Sequence, residues 1–221
     1  NRDNIPIFYQ QRNHNMLKKI WIIIFSSLFT WSIIEPQDYL TWFLEIIPAL
    51  IAVFILWKTE QSFPLTTLAY TLILIHCAIL MIGGHYTYAE VPFFNTLKDI
   101  FDLTRNNYDK VGHFAQGFVP AIIMREIFIR KKIINSKNWE YFLVIMFCLG
   151  FSGFYELLEW WSTIVFGDSA EAFLGTQGYI WDTQSDMGYA LLGAIIALIS
   201  LSKLHNKQLA KKIKNIYNES K

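Results

Sequence analysis

The sequence predicts an all-α integral membrane protein, a bundle of six transmembrane helices with two longer extracytoplasmic loops. Three observations carry that expectation. Hydrophobic residues make up 53% of the 221 and aromatic residues 17%, with 18 Phe, 8 Trp and 11 Tyr. Charged residues reach only 17%, against roughly 25% in a soluble domain. The charges are also segregated into the first residues, the connections and the tail, so a mean hydropathy of +0.29 conceals long apolar runs. Such apolar content with a net charge of +1 excludes a disordered chain and argues against a nucleic-acid partner.

A hydrocarbon core about 30 Å thick needs about 20 apolar residues of helix. Six segments qualify: Leu17–Ile34, Tyr39–Trp57, Leu65–Gly84, Val111–Ile129, Trp139–Phe166 and Asp182–Ser202. The first, behind Lys18 and Lys19, is read as a retained helix, because Glu35 and Pro36 follow it in place of a small-residue cleavage site. The turn around Pro36 makes the first two spans an antiparallel hairpin. The fifth is longer than a perpendicular crossing and is expected to tilt, or to bend near Gly150 and Gly153. This divides the chain into a cytoplasmic N-terminal segment (1–16), a six-helix membrane domain (17–202) and a basic cytoplasmic tail (203–221).

An even number of spans puts both termini on one side. That side then holds fifteen of the 19 Lys and Arg residues, with Lys98, Arg105 and Lys110 opposite and Arg125 within a span. The excess of positive charge on the cytoplasmic face places both termini in the cytoplasm, with the tail lysines against anionic headgroups. Two outer connections remain, His85–Lys110 and Gly167–Trp181. In the first, Asn95–Asp102 has the spacing of a surface helix. Tyr86, Tyr88, Phe93, Phe94, Phe173 and Trp181 would fold these connections into a cap over the bundle mouth. The two cysteines, Cys77 and Cys148, sit inside apolar runs and define neither a disulfide framework nor a CxxC site.

Ionisable groups inside spans are costly and usually face a bundle interior or a wet cavity. With the orientation above, several gather in the outer leaflet: His85, Tyr86 and Glu90 after the third span, and Asp109, His113 and Gln116 on the fourth. Glu156 and Glu159 arrive on the fifth, Asp182 and Asp186 on the sixth. Asp109 and His113, and Asp182 and Asp186, are spaced i,i+4; Glu156 and Glu159 are i,i+3. Each pair therefore shares one helix face. Five carboxylates converging on imidazole in a low-dielectric setting must be protonated, paired with cations such as Lys110 or Arg105, or bound to metal. A His-plus-carboxylate set suits Zn, Mn or Fe, although no HExxH motif is present. Asp109 and Asp182 also fit helix N-caps. Glu45 and His76 are read as satisfied interior groups without same-face partners, and Arg125 and Glu126 as snorkelling and pairing. Gly188, Gly193 and Ala194 offer a small face for helix packing, and Gly175–Gly178 a source of backbone donors near the polar mouth.

These polar stretches resemble the YjdF-like bacterial inner-membrane proteins, a family of unassigned function. The likeness lies in Gly84–Pro92 (GHYTYAEVP), Arg105-Asn106, Tyr108–Phe118 (YDKVGHFAQGF), Tyr155–Trp160 (YELLEW), Leu174–Gly178 (LGTQG) and Trp181–Met187 (WDTQSDM). More remotely, Asp109-Lys110 with His113-Phe114, and Asp186 followed by Gly193-Ala194, are similar to VanZ-like membrane proteins. The resemblance implies a bacterial cytoplasmic-membrane protein and no substrate.

On the residues themselves, the leading expectation is a metal-dependent intramembrane enzyme acting on a lipid or lipid-linked envelope molecule. His113, Glu156, Asp182 and Asp186 are the preferred ligands of a divalent ion. Glu159 is the general base and His85 a ligand or acid. Asp109, Gln116, Tyr86 and Glu90 belong to the surrounding polar cluster, and membrane lipids are the expected partners. The alternatives are a proton-coupled transporter that uses the carboxylates as a relay, and a non-catalytic assembly or lipid-binding protein.

Overall fold

The computed structural model describes the backbone of residues 7–167 and 179–219, and the side chains of 16–167 and 179–214. Among the described residues lie seven helices: α1 (Ile7–Ile33), α2 (Tyr39–Thr59), α3 (Thr67–His85), α4 (Pro92–Ile100), α5 (Tyr108–Arg130), α6 (Lys137–Phe166) and α7 (Asp182–Glu219). Local chemistry explains several starts. The Asp38 carboxylate accepts from the Thr41 N–H at 2.7 Å to open α2, and the Thr66 hydroxyl oxygen accepts from the Ala69 N–H to open α3. Both satisfy donors that a helix leaves unpaired at its N-terminus. Pro92 stands at the start of α4, where its missing N–H costs nothing.

Five helices are long and apolar enough to cross a membrane: α1 from Met16, α2, α3, α6, and α7 as far as Lys214. Among the long helices α5 is the exception, because Asp109, Lys110, His113, Gln116, Arg125 and Glu126 interrupt its apolar face. Its position reconciles that composition with the bundle. It packs against α3, α6 and α7, and Lys110, His113, Gln116, Arg125 and Glu126 are all buried. The most polar long helix is thus held inside protein, while apolar side chains such as Ile23, Phe54 and Ile199 cover the periphery.

Between apolar helices in lipid there is little hydrophobic drive to associate, so close van der Waals packing carries the contact. The α5–α7 crossing shows this. A Cβ on Gly117 would overlap the Ala190 carbonyl oxygen, and one on Gly193 would overlap the Phe114 carbonyl oxygen. Ala190, Ala194 and Ala197 are fully buried beside them. Gly193 and Ala194 therefore act as the sequence suggests, whereas Gly188 faces open space.

The basic tail is not a separate segment at its start. α7 runs past Ser202 as one helix of 38 residues, about 57 Å long at 1.5 Å per residue. His205 and Leu209 are buried, and the Gln208 side-chain oxygen accepts from the Leu68 N–H at 2.9 Å. α6 is likewise a single uninterrupted helix of 30 residues through Gly150 and Gly153.

The connection from α3 to α5 holds α4 and packs inward through Tyr88, Val91 and Tyr108, with Tyr86 and Phe94 against them. Thr87 and Tyr88 have φ of 54° and 56°, a left-handed backbone that non-glycine residues rarely adopt. That turn drives the Tyr88 ring into space left by Gly83 and Gly112, where a Cβ would collide with it. Asn106 ties the connection together, donating to the Val91 carbonyl and to Asn95 Oδ1 and accepting from the Tyr108 N–H. Phe93 and Trp181, expected in the cap, are exposed. Phe173 and the Gly175–Gly178 stretch lie outside the described residues.

Candidate functional site

The helix ends that gather at one pole of the bundle are the C-termini of α3 and α6 and the N-termini of α2, α5 and α7. The first two turns of α5 supply the polar groups there. Lys110 Nζ donates to Asp182 Oδ1 at 2.8 Å and to Asp186 Oδ1 at 2.6 Å. Arg105, just ahead of α5, donates to Asp182 Oδ2 at 2.6 Å and to Asp109 Oδ2 at 3.3 Å. Both oxygens of Asp182 are therefore committed to cations. Burial opposes the Arg105 charge, but the hydrogen bond and charge of Asp182, with the charges of Asp109 and Asp186, hold its pKa above its ordinary value.

His113 stands between two sets of carboxylates. Its Nε2 lies 3.1 Å from Asp109 Oδ1 and 3.9 Å from Asp186 Oδ2. Its Nδ1 lies 3.2 Å from Gln116 Oε1 and 3.7 Å from Glu156 Oε1. The Glu156 side chain is 9% exposed, and its Oε1 has no hydrogen-bond partner among the described residues. A buried carboxylate oxygen without a donor is costly, so this atom asks for a proton or a cation. Both ring nitrogens face acceptors, Nε2 towards Asp109 and Nδ1 towards Gln116 Oε1 and Glu156. The imidazole therefore donates from both, and Nδ1 would have to give up its proton to bind an ion.

Among the described residues two groups could hold an ion: Asp109, His113 and Asp186, and His113, Glu156 and Glu159. In each, one ligand atom per residue lies within 4.8 Å of the others. Ligands bonded at ~2.0–2.2 Å to one zinc stand at most about 4.4 Å apart, so small side-chain shifts suffice. The two groups differ in what their oxygens already do. Asp109 and Asp186 are bound by Arg105 and Lys110, whereas Glu156 retains the unpartnered oxygen. The second group is the better cation site. In it Asp109 would orient the imidazole from behind, an arrangement that raises ligand basicity.

These groups border a cavity of about 510 Å³. Of the residues predicted from sequence, His113, Glu156, Glu159, Asp182, Asp186, Asp109 and Gln116 line it. His85, Tyr86 and Glu90 do not. The His85 ring packs 4.4 Å from that of Trp31, with Nδ1 3.2 Å from the Ser32 carbonyl. Tyr86 packs beside it, 4.6 Å between ring centres. Glu90 accepts from Asn95 Nδ2 at 3.0 Å and holds the connection rather than the cavity.

Sequence reasoning missed four ionisable lining residues: Glu45, His76, Tyr88 and Tyr155. Glu45 and His76 have no polar same-face partner on their own helices, and this had set them aside. Their partners come from other elements: the Glu45 carboxyl interacts with the Tyr88 and Tyr155 hydroxyls, and Gly84 leaves room for the Glu45 side chain. An isolated carboxylate in the outer half of a span was the available signal.

A second polar cluster occupies the opposite pole. Glu126, fully buried, accepts from the Thr66 N–H and hydroxyl, from Arg130 and from His205. Arg125 pairs with Glu140 at 2.9 Å and donates to His205 Nδ1 and Asn206 Oδ1. Because Nδ1 accepts from Arg125, Nε2 carries the His205 proton given to Glu126. Arg125 and Glu126 do pair, Arg125 with α6 and α7 and Glu126 with Arg130 on α5 and His205 on α7, rather than by snorkelling.

Apolar spans around a buried polar helix and a carboxylate–histidine cavity define a multi-pass α-helical membrane protein. The chain belongs to the family described as Predicted membrane protein (DUF2238), whose model matches residues 17–207 and so includes every cavity residue named above. It is similar to Inner membrane protein YjdF of Escherichia coli (strain K12), at 48% identity over 176 residues, covering 80% of this chain and 84% of that protein. No solved structure matches the chain.

Proposed function

We propose that the protein is a metal-dependent intramembrane enzyme acting on a lipid or lipid-linked envelope molecule at the outer leaflet of the bacterial inner membrane. The observation that carries this reading is His113, backed by Asp109 at 3.1 Å and facing the unpartnered, buried Glu156 Oε1 on a cavity wall. His113, Glu156 and Glu159 would hold a Zn, Mn or Fe ion, with Gln116 Oε1 as a further oxygen nearby. Asp186 stands beside this set, and Asp182 serves the Arg105–Lys110 pairs instead of the ion. His85, held on Trp31 and Ser32, takes no part. A metal bound there would polarise a phosphoryl or carbonyl oxygen, or activate water. In this reading α5 is the sixth span, and the fifteen-to-three distribution of basic residues keeps both termini in the cytoplasm.

The test is elemental analysis of the purified protein after saturation with Zn, Mn and Fe at neutral pH. One stoichiometric metal is expected, lost in His113→Ala and in Glu156→Gln while the helices stay inserted. Binding should weaken as pH falls, because imidazole and carboxylate must lose their protons to coordinate. Folded protein without stoichiometric metal sinks the proposal. Coupled proton and solute flux in reconstituted vesicles would instead favour the carrier reading.

A further inference from the structure

We propose that the cleft between α2 and α6 is a side entrance through which a bilayer lipid of the outer leaflet reaches the cavity, headgroup at His113 and chains descending between the two helices. This rests on the reading of the cavity as a lipid-processing site and adds the route and the posture of the substrate.

The packing order supplies the entrance. α2 packs on α3, while α6 packs on α5 and α7, and no extensive contact joins α2 to α6. Both nevertheless line the same cavity, with α3 and α5 as its floor through Leu80 and Gly112. The cavity is thus a groove between two helical walls, bridged at one level by the Glu45 carboxyl and the Tyr155 hydroxyl. Its α6 rim is Phe151, Leu157 and Trp160, all exposed at the periphery of the bundle. Those rim residues lie in a helix apolar enough to span a membrane, so the groove opens towards lipid.

Polarity along the groove matches one orientation of an amphiphile. From Glu159 to Phe151 the α6 wall runs about 12 Å at 1.5 Å per residue. Carboxylates and His113 lie near the pole of the bundle; Phe151, Pro48 and Leu80 line the deeper part, where Gln116 and His76 are polar among the described lining residues. A headgroup therefore meets the charges at the depth where headgroups reside, with its chain towards the bilayer centre. Size agrees. A volume of about 510 Å³ falls within the ~300–1,000 Å³ typical of small-ligand sites. It suits a headgroup and the first carbons of its chains, and the remainder must lie outside in the cleft.

The experiment uses the full chain, zinc-saturated, in nanodiscs of phosphatidylethanolamine and phosphatidylglycerol carrying a photoactivatable phosphatidylglycerol. Adduct sites are mapped by mass spectrometry. Peptides containing Pro48, Phe151 and Leu157 should be labelled several-fold more densely than the lipid-facing controls Ile55 and Ile199. Leu157→Trp, which narrows the mouth, should cut groove labelling several-fold and leave the controls unchanged; Pro48→Trp tests the facing wall should the first variant fold poorly. Even labelling around the bundle, indifference to both tryptophans in folded protein, or cross-linking of the groove to a second copy of the chain would each overturn the entrance. Metal content measured on the same nanodiscs separates the two proposals. Metal without groove labelling removes the entrance alone, and groove labelling without metal removes the metal site alone.

Discussion

The two poles of the bundle solve one problem in opposite ways. Both bury carboxylates, histidine and basic side chains among α3, α5, α6 and α7. At one pole, every described oxygen of Glu126 has donors: the backbone and hydroxyl of Thr66, Arg130 and His205. At the other, six acidic side chains line the cavity against Arg105, Lys110 and His113, and Glu156 keeps an oxygen without a donor. Arg125 Nε and Glu140 Oε1 beside Glu126 also lack a hydrogen bond, but stand only 2.9 Å apart, whereas Glu156 Oε1 has its nearest cationic partner, His113, at 3.7 Å. A buried polar group costs more the less its partners satisfy it. The difference sets Glu126, both of whose oxygens have donors, against Glu156, which keeps one without, although the residue types around them are nearly the same.

The sharpest way to break this comparison is Glu126→Ala. It would leave Arg130, His205 and the Thr66 N–H without their acceptor, and removing one partner of a buried ionic network costs about 3–5 kcal/mol. Denaturant or thermal unfolding in detergent should show that loss with metal stoichiometry unchanged. A stability change below about 1 kcal/mol would mean that the Glu126 network does not hold the bundle.

Asp109→Asn sharpens the other side. It spares His113 and Glu156 but weakens the group that orients the imidazole, and such partners typically matter ~10–100-fold in metal affinity. Titration with Zn should show a weakening in that range, with a smaller loss of stability than Glu126→Ala because Asn keeps the side-chain shape and Asp109 is partly exposed. Equal affinity in the variant would place the ion elsewhere or nowhere.

The smallest effect is expected for the Lys18–Glu60 pair, which joins α1 to the end of α2 with both side chains partly exposed. Pairs of that kind contribute about 0–1 kcal/mol and weaken with salt. Glu60→Gln should therefore leave unfolding and metal binding almost unaltered. A large loss would show that α1, which packs mainly on α3, depends on this ion pair for its place.

Much of this architecture is legible one segment at a time. Apolar runs of span length from Tyr39, Leu65, Trp139 and Asp182 become α2, α3, α6 and α7, because helical backbone satisfies its own hydrogen bonds wherever lipid surrounds it. The i,i+4 spacing of Asp109 and His113 also survives as a direct contact of 3.1 Å, since helical geometry alone sets it. That Lys110 and Arg105 would neutralise some of the carboxylates was also legible, but which group meets which across helices was beyond reach. Asp182 meets Lys110 across 72 residues of chain, and Glu126 meets His205 across 79; no periodicity encodes such partners. Glu45 joins the cavity, while His85 turns away onto Trp31. The physical reason is that local periodicity decides which face of a helix is polar, whereas the side chains meeting that face depend on how closely the backbones approach. Here that approach is set by the small residues Gly117 and Gly193 at the α5–α7 crossing and by the cleft left between α2 and α6.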